Sequence, residues 1–372
     1  MKIIIAGDFC PKDRVAERIE HSDYNDLFCP VKELTEKVDY SIVNLECPIV
    51  IRSSSPIEKC GPNLKCSDKV VDALKIMGFN GVTLANNHFL DFGESGVIDT
   101  LNVLHTNNID SVGGGKNLFE ASKILYIERC GQKVAIINCC EHEFSIATDS
   151  SAGANPLNVI HQHYSIQEAK KNADYVIVII HGGWEHFQYP SLRMQEAYRF
   201  FIDSGADAVI NHHQHCFSGY EIYNNKPIFY GLGNFCFDWN GKRQSKWNEG
   251  YIVELELGNK VSFILYPYNQ CDKEPKIEFL SDNTIFDEKI KEINDTIRDK
   301  EKLRQVIEDY LEKEFKNYVF CFEPFYNKYT NKLFWRGVMP SFIERRRTAL
   351  IDYVGNESHY EKVMAAIERT RK

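Results

Sequence analysis

Short apolar runs alternate with amphipathic stretches along the first part of the chain. Residues 2–6, 40–44 and 81–85 are short, apolar and rich in β-branched side chains, which is typical of buried strands. Residues 68–77 and 96–107 repeat their apolar positions at the helical period. Strands that alternate with helices in this way predict an α/β fold whose strands are at least partly parallel.

After residue 123 the pattern changes from single strands to hairpins. Residues 124–128 and 133–138 predict a hairpin that turns at Gly131, and residues 175–180 form the most apolar strand-like run of the chain. The other elements predicted in this part are helices at 167–172 and 191–204, a strand at 208–210, and hairpins over 220–230 and 250–266.

The character of the sequence changes again near residue 270. Beyond it the chain is charged and has mostly helical periodicity, for example over residues 287–297 and 300–316. We therefore expect one α/β domain at residues 1–270 and a C-terminal helical extension at residues 271–372.

The composition favours a globular protein that does not bind nucleic acid. Among 372 residues, 43% are hydrophobic and 26% are charged, which is ordinary for a globular chain. The formal net charge of −9 disfavours nucleic-acid binding, which usually needs a basic surface.

The sequence also bears on location. We expect no transmembrane helix, because no apolar run reaches the roughly 18 residues that a span requires. The strand at residues 2–6 leaves no room before it for a signal peptide. Twelve cysteines without a CxxC pair fit free thiols better than a zinc site or a disulfide framework. Together these features predict a cytoplasmic protein.

Polar motifs stand at the ends of the strand-like runs. They supply carboxylates, amides and imidazoles, and the six motifs are Gly7-Asp8, Asn44-Leu45-Glu46, Asn86-Asn87-His88, His181-Gly182-Gly183, His212-His213-Gln214-His215 and Gly233-Asn234. In open α/β sheets, ligands gather at the carboxyl ends of the strands. Mixed nitrogen and oxygen donors without thiolates suit Mn²⁺, Zn²⁺ or Fe²⁺, and delivery from separate strands is what a two-metal hydrolytic site requires.

Each motif alone has a structural interpretation. Asp8 fits the cap of a helix or turn about as well as a metal ligand. Asn87 could hold a turn, since Asn-Asn pairs favour left-handed backbone, and a single histidine such as His181 after a buried strand is usually a core residue. The ordered set of motifs favours the metal site.

The chain resembles the bacterial capsule-synthesis CapA, or poly-γ-glutamate synthesis, family of the calcineurin-like metallophosphoesterase superfamily. The resemblance covers about residues 1–240, and its motifs are IAGDF, NLECPI, GFNGVTLANNHFLDFGESGVIDTL, VGGGKNLFEA, HGGWEHFQYPS and FIDSGADAVINHHQHCFSGYEIYNNKPIFYGLGNFCFD. It implies a four-layer α/β/β/α sandwich, in which two mixed sheets face each other and carry helices outside.

The resemblance also implies metal ligands. These are Asp8 and His215 on a first metal, Asn87, His181 and His213 on a second metal, and Glu46 as the bridge between them. One or two divalent ions (Mn, Zn or Fe) are therefore expected. Cys10 stands where phosphoesterases often have the histidine of an Asp-x-His pair, so the first metal lacks one of the superfamily's ligands.

Other site roles follow from the same resemblance. His88 matches the general acid that protonates the leaving oxygen, and Asp91 would orient it. The remaining residues expected in the wall of the site are Cys10, Asn44, Glu185, His212 and Asn234.

The function implied is a metal-dependent hydrolase in capsule, polyglutamate or polysaccharide biosynthesis, of phosphoesterase type or acting on another ester or an amide. Its substrate would be an anionic small molecule or polymer. Two alternatives stay open at this point: a non-catalytic metal-binding component of a polymer-synthesis complex, and a ligand-binding domain with a vestigial site. Capsule-family relatives usually carry an N-terminal membrane anchor, which we do not expect here, and this favours a cytosolic substrate.

Overall fold

The computed structural model describes residues 1–320, 328–339 and 342–355. It divides into two compact units, Met1–Leu303 and Arg304–Lys372. The predicted domain boundary at residue 270 stays a prediction; in the structure, the strand Ile277–Phe279 after it joins the larger sheet of the first unit.

The strands of the described residues alternate with helices over most of the first unit. The strands are β1 (Lys2–Phe9), β2 (Tyr40–Leu45), β3 (Gly81–Thr83), β4 (Asp110–Val112), β5 (Gly114–Gly115), β6 (Leu125–Arg129), β7 (Gln132–Cys140), β8 (Gly153–Ala154), β9 (Tyr175–His181), β10 (Ala208–His212), β11 (Tyr220–Tyr223), β12 (Lys226–Phe229), β13 (Asn234–Cys236), β14 (Glu249–Glu256), β15 (Ser262–Gln270) and β16 (Ile277–Phe279). The α-helices are α1 (Asp13–Glu20), α2 (Asn25–Thr35), α3 (Val70–Ile76), α4 (Gly93–Thr106), α5 (Leu118–Ala121), α6 (Val159–Asn172), α7 (Leu192–Ser204), α8 (Thr284–Arg298), α9 (Lys300–Phe320), α10 (Lys328–Trp335) and α11 (Phe342–Gly355).

Two mixed sheets form the centre of the first unit. The larger has the order β16-β15-β14-β1-β2-β3-β4 with β13 also paired to β1, and the smaller has the order β11-β12-β10-β9-β7-β6. Within the larger sheet β1, β2, β3 and β4 run parallel, and within the smaller one β7, β9, β10 and β12 do. The short strands β5 and β8 pair separately.

The side chains of the two sheets alternate between an inner and an outer core. On β1, Ile3 and Ile5 belong to the core that also contains Ile137 of the smaller sheet. Ile4 belongs to a second core, shared with residues of α1 to α4 such as Val15. Because successive strand residues face opposite sides, the larger sheet lies between the helices and the smaller sheet. Helices α6 and α7 cover the other face of the smaller sheet. The expected four-layer α/β/β/α sandwich is thus confirmed.

Local signals account for several boundaries. The helix predicted at 191–204 is α7, and its N-cap Ser191 accepts a hydrogen bond from Met194 N. The helix predicted at 167–172 begins earlier, because Asn158 caps α6 by accepting from Ile160 N and His161 N. Helix α1 was not predicted from the sequence.

The second unit, described by itself, is helical as expected. It contains most of α9 together with α10 and α11. Residues 271–303 of the predicted extension, which include α8, belong to the first unit. Residues 321–327, 340–341 and 356–372 of it lie outside the described residues. Within the part of the chain that the structure describes, no helix is both long and apolar enough to span a bilayer.

Candidate metal centre

The ends of the parallel strands bring the predicted polar residues to one edge of the facing sheets. Asp8 on β1 pairs with Asn44 on β2, and Asn44 pairs with Thr83 on β3. In the smaller sheet His181 at the end of β9 pairs with His212 at the end of β10. The two rows of strand ends lie against each other, so side chains from both sheets meet in one buried cluster.

A bulge in β1 turns Asp8 toward this cluster. Ala6 and Phe9 both pack in the core on the helix side, although residues three apart on a regular strand face opposite sides. The register with β2 shifts between Ala6 and Asp8, which is the parity change that a bulge produces. Gly7 is required at this point, because a Cβ there would lie 1.9 Å from the carbonyl oxygen of Gly233.

The first group of candidate ligands surrounds the imidazole of His181. Its Nε2 lies 3.0 Å from Asn87 Oδ1, 3.0 Å from His213 Nδ1 and 3.6 Å from Glu46 Oε1. Glu46, His181 and His213 can each offer one atom to a common ion. His213 has a left-handed backbone with φ of 91°, a conformation that costs on the order of 1–3 kcal/mol and occurs most often at functional sites.

The second group shares Glu46 with the first. Asp8, Glu46 and His215 can hold a common ion with one atom each. His215 Nδ1 lies 2.9 Å from Asn234 Oδ1, and its Nε2 lies 3.7 Å from Glu46 Oε1. A proton on Nδ1 that is donated to Asn234 leaves the Nε2 lone pair directed toward Glu46, the arrangement that outer partners of metal-binding histidines usually enforce.

The surroundings of the Glu46 carboxylate show whether a cation fits this cluster. Its side chain is fully buried, and neither carboxylate oxygen has a hydrogen-bond partner among the described residues. A buried carboxylate without partners is strongly unfavourable. Because imidazoles from both groups stand around Glu46, a divalent cation in each would supply the missing charge. The donor set therefore fits one or two divalent ions.

The electrostatics of the cluster are dominated by burial. Burial, and next the charge of Asp8, raise the pKa of Glu46 well above its usual range. Burial raises the pKa of Asp8 to about 6, against hydrogen bonds from Asn44 and His213 that lower it. Burial, followed by the neighbouring histidines, lowers the pKa of His181 well below its usual range. With the protein groups alone the carboxyls hold protons and the imidazoles stay neutral, and a bound divalent cation would displace the protons from the carboxyls.

His88 and Asp91 form a separate pair beside the cluster. His88 Nδ1 lies 2.6 Å from Asp91 Oδ2, and both side chains are buried. His88 follows Asn87 directly, so the pair stands next to the group around His181. A carboxylate that accepts from Nδ1–H fixes the ring and leaves Nε2 as the atom that can exchange a proton.

The structure places two predicted wall residues in direct contact with Asp8. Asn44 Nδ2 donates to Asp8 Oδ1 at 2.7 Å. His212 Nδ1 lies 3.7 Å from the same oxygen, and neither of its ring nitrogens has a hydrogen-bond partner among the described residues. Burial lowers the pKa of His212 to about 3, so its ring is neutral.

The other predicted wall residues differ in exposure. Asn234 Oδ1 contacts His215, as described above, and its Nδ2 also donates to His215 O at 3.2 Å. Cys10 is buried, and its backbone N–H donates to Cys236 O at 3.1 Å. The Glu185 side chain is 51% exposed, and it affects the cluster through its charge, which contributes to the raised pKa of Glu46.

Three further residues reach the site without having been predicted. Glu143 Oε1 lies 3.5 Å from His213 Nε2. The Trp247 ring lies 4.6 Å from that of His215, and its Nε1 donates to the carbonyl of Phe237. Lys59 contacts both His88 and Asp91. Glu143 is the one with a visible sequence signal, since it neighbours His142 after a buried strand.

Comparison with known sequences gives matches that span the region containing the site. The model of the family described as bacterial capsule synthesis protein PGA_cap matches residues 2–239. The capsule biosynthesis protein CapA of Bacillus anthracis is 30% identical over 286 residues, covering 74% of this chain and 69% of that protein. The PGA biosynthesis protein CapA of Bacillus subtilis is 30% identical over 296 residues, covering 77% of each.

Solved structures give a more distant match. A structure described as a novel phosphatase of Mycoplasma pneumoniae is 17% identical and covers 73% of this chain and 95% of that one, with a TM-score of 0.48.

Proposed function

The chain belongs to the bacterial capsule synthesis PGA_cap family, and we propose that within it this protein is a metal-dependent hydrolase that cleaves an anionic phosphoester. The relatives named for capsule and PGA biosynthesis suggest a substrate from capsule or polyglutamate metabolism. One observation carries the proposal: the buried Glu46 carboxylate, without a hydrogen-bond partner among the described residues, stands between two histidine groups.

The residues would divide the work between two ions. Asn87, His181 and His213 would hold one ion, Asp8 and His215 the other, and Glu46 would contribute to both. Bound divalent ions at such a site supply positive charge for the phosphate and make a water nucleophilic at neutral pH. We propose Mn²⁺, Zn²⁺ or Fe²⁺, because the donors are imidazoles, carboxylates and an amide rather than thiolates.

The protein's own side chains would handle the leaving group. Attack of a water oxygen on phosphorus breaks the ester P–O bond, and the departing oxygen needs a proton. His88 is the candidate donor, since Asp91 accepts from its Nδ1 at 2.6 Å and Nε2 remains for the substrate. A site that served only to hold metal for structural reasons would not need this buried His–Asp pair.

Cys10 is the residue that supports the non-catalytic alternative. It occupies the position of the superfamily's further histidine ligand, so the ion held by Asp8 and His215 has fewer protein donors than the other. An open position of this kind is also what a catalytic metal needs for water or substrate. We therefore favour the hydrolase over a vestigial binding domain.

We also propose that the protein works in the cytoplasm. All eleven cysteines recorded in the described residues are free thiols, which supports a reducing compartment. Cell fractionation with a periplasmic and a cytoplasmic marker protein tests this.

The experiment that tests the proposed function combines metal analysis with turnover. Protein purified without chelator should contain one to two equivalents of transition metal, as estimated from the two donor groups. It should hydrolyse aryl phosphomonoesters or phosphodiesters, with stimulation by Mn²⁺. Bound metal without turnover of any phosphoester would favour the non-catalytic alternative, and protein that neither contains nor takes up metal would contradict the proposal.

A further inference from the structure

A buried lysine from a surface loop reaches the His88–Asp91 pair. The loop of residues 50–65 has no regular secondary structure, and most of its side chains are exposed. Among the charged residues of this loop Lys59 is the exception, because its side chain is only 2% exposed. Lysine is rarely buried unless it is paired, since desolvating an ammonium costs several kcal/mol. Packing of the loop on the protein surface therefore does not explain why the Lys59 ammonium is buried.

The carboxylate of Asp91 is the partner of Lys59, and the same loop holds it at several points. Lys59 Nζ contacts Asp91 Oδ1, and Leu64 N donates to Asp91 Oδ2 at 2.6 Å. Ile57 N donates to the backbone carbonyl of Asp91 at 2.9 Å. Besides Lys59 and Leu64, the carboxylate has a third donor, His88 Nδ1, which contacts Asp91 Oδ2. Two of the three donors around this carboxylate thus come from one irregular loop, and the third is the candidate general acid.

The arrangement of protons follows from the donors. Lys59 Nζ also lies 3.1 Å from His88 Nδ1. An ammonium can only donate, and a carboxylate can only accept. The Nδ1–H of His88 therefore donates to Asp91 Oδ2, and the Lys59 ammonium pairs with Asp91 Oδ1. With Lys59 on Oδ1, the carboxylate cannot rotate without losing an ion pair, so Oδ2 stays on His88.

We propose that Lys59 is a positioning residue for the general acid: by fixing the Asp91 carboxylate, it keeps one proton of His88 on Nδ1, so that in the doubly protonated ring the proton on Nε2 is the one passed to the leaving oxygen. The proposal rests on the proposed hydrolase function. Lys59 itself need not touch the substrate. Its loss should therefore affect protonation of the leaving group and leave metal content unchanged.

A leaving-group comparison separates this role from simple anchoring of the loop. The variants are Lys59→Met and, as a matched control from the same loop, Lys65→Met, whose side chain is exposed. Each is assayed with p-nitrophenyl phosphate, whose leaving group needs little help from an acid, and with phenyl phosphate, whose leaving group needs more. For Lys59→Met we expect kcat to fall roughly tenfold or more on phenyl phosphate and less than about threefold on p-nitrophenyl phosphate, with KM unchanged. Lys65→Met should match the wild type on both.

Equal losses on the two esters, or a loss confined to KM, would overturn the proposal, because a displaced loop or weaker substrate binding predicts those patterns. Metal content and thermal unfolding of each variant establish whether it is folded and loaded. A wild type that turns over neither ester counts against the proposed function, and the role of Lys59 is then decided by the measurement below.

The second measurement needs neither turnover nor a folded Lys59 variant. In ¹⁵N-histidine-labelled wild-type protein, long-range ¹H–¹⁵N spectra report which nitrogen of each ring carries the proton, and the His88→Asn variant assigns the signal. We expect His88 to carry a proton on Nδ1, either alone or together with a proton on Nε2. A ring protonated on Nε2 alone would overturn the proposal, because Nδ1 would then accept from Lys59 instead of donating to Asp91. If Lys59→Met folds, it should show a mixture of rings that carry a proton on Nδ1 and rings protonated on Nε2 alone.

Discussion

Glu46 Oε1 of the larger sheet lies 3.6 Å from His181 Nε2 of the smaller sheet. Neither side chain could reach the other if the two sheets did not end at a common edge. The contact is also too long for a hydrogen bond, so the fully buried carboxylate gains nothing comparable to what it lost on leaving water. A protein retains such an arrangement when another species supplies the missing charge, and the donors around Glu46 suit a metal ion.

Glu46→Gln should abolish metal binding while stabilising the metal-free protein. The substitution removes a charge that has no hydrogen-bond partner among the described residues, and the raised pKa of Glu46 means that its folded state resists ionisation. In the wild type, the protonated Glu46 carboxyl contributes its full stability to the folded state below the unfolded pKa near 4.5. This contribution is lost as the pH rises through the higher pKa of the folded state. The advantage of Glu46→Gln should therefore grow with pH above about 4.5.

Urea unfolding of chelator-treated protein at several pH values, with metal analysis, checks this. Glu33→Gln on the exposed face of α2 is the matched control, for which we expect no change. If Glu46→Gln kept its metal, or if its metal-free form were less stable than the wild type at pH 8, the assignment of Glu46 as the shared ligand would fail.

Metal affinity should fall as the pH drops through about 6. Asp8 has a pKa of about 6 in the metal-free protein, so below that value an ion must displace a proton from Asp8 in addition to the one that Glu46 holds. The lowered pKa values of His181 and His215 have the opposite consequence: these rings remain unprotonated and do not compete with metal over the same range. Calorimetric titration with Zn²⁺ should show roughly a tenfold or larger loss of affinity between about pH 7 and pH 5. A flat profile would exclude Asp8 as a ligand.

His88→Ala should lose turnover but keep its metal. General acid catalysis contributes about 10²- to 10⁴-fold, so kcat should fall by an amount in that range. The imidazole is not among the groups that can share an ion in the described residues, and metal content should therefore remain near the wild-type value. His105→Ala on the exposed surface of α4 is the control. Full activity of His88→Ala would require a different proton donor.

Much of the fold could be predicted because its central strands are buried on both faces. Strands such as β1, β2 and β9 read as continuous apolar runs, and the helices between them have the helical period. Helix α1 escaped prediction because Asp13–Glu20 is short and highly charged, with Val15 and Ile19 as its buried residues. The three short strands β5, β8 and β13 are too brief to show any periodicity.

The residues of the candidate site also differ in whether the sequence could predict them. Asp8, Glu46 and His181 lie at or just beyond strand ends, where position relative to an apolar run is a usable signal. Lys59 lies in an irregular loop, and 32 positions of sequence separate it from Asp91. No local sequence pattern therefore predicts their contact. The bulge at Gly7 was equally hidden, because an apolar run predicts a strand but does not show where its facing reverses.

Gly7→Ala tests whether that bulge positions the metal ligand beside it. A Cβ at residue 7 would lie 1.9 Å from the backbone oxygen of Gly233, and neither strand can yield without disturbing the pairing of β1 with β13. We expect a loss of about 3 kcal/mol or more in the free energy of unfolding. Metal affinity should fall in any folded fraction, since Asp8 would be displaced. Gly241→Ala, where a Cβ meets open space, should be neutral in both measurements. Wild-type stability and metal affinity of Gly7→Ala would show that β1 reaches the site without the bulge.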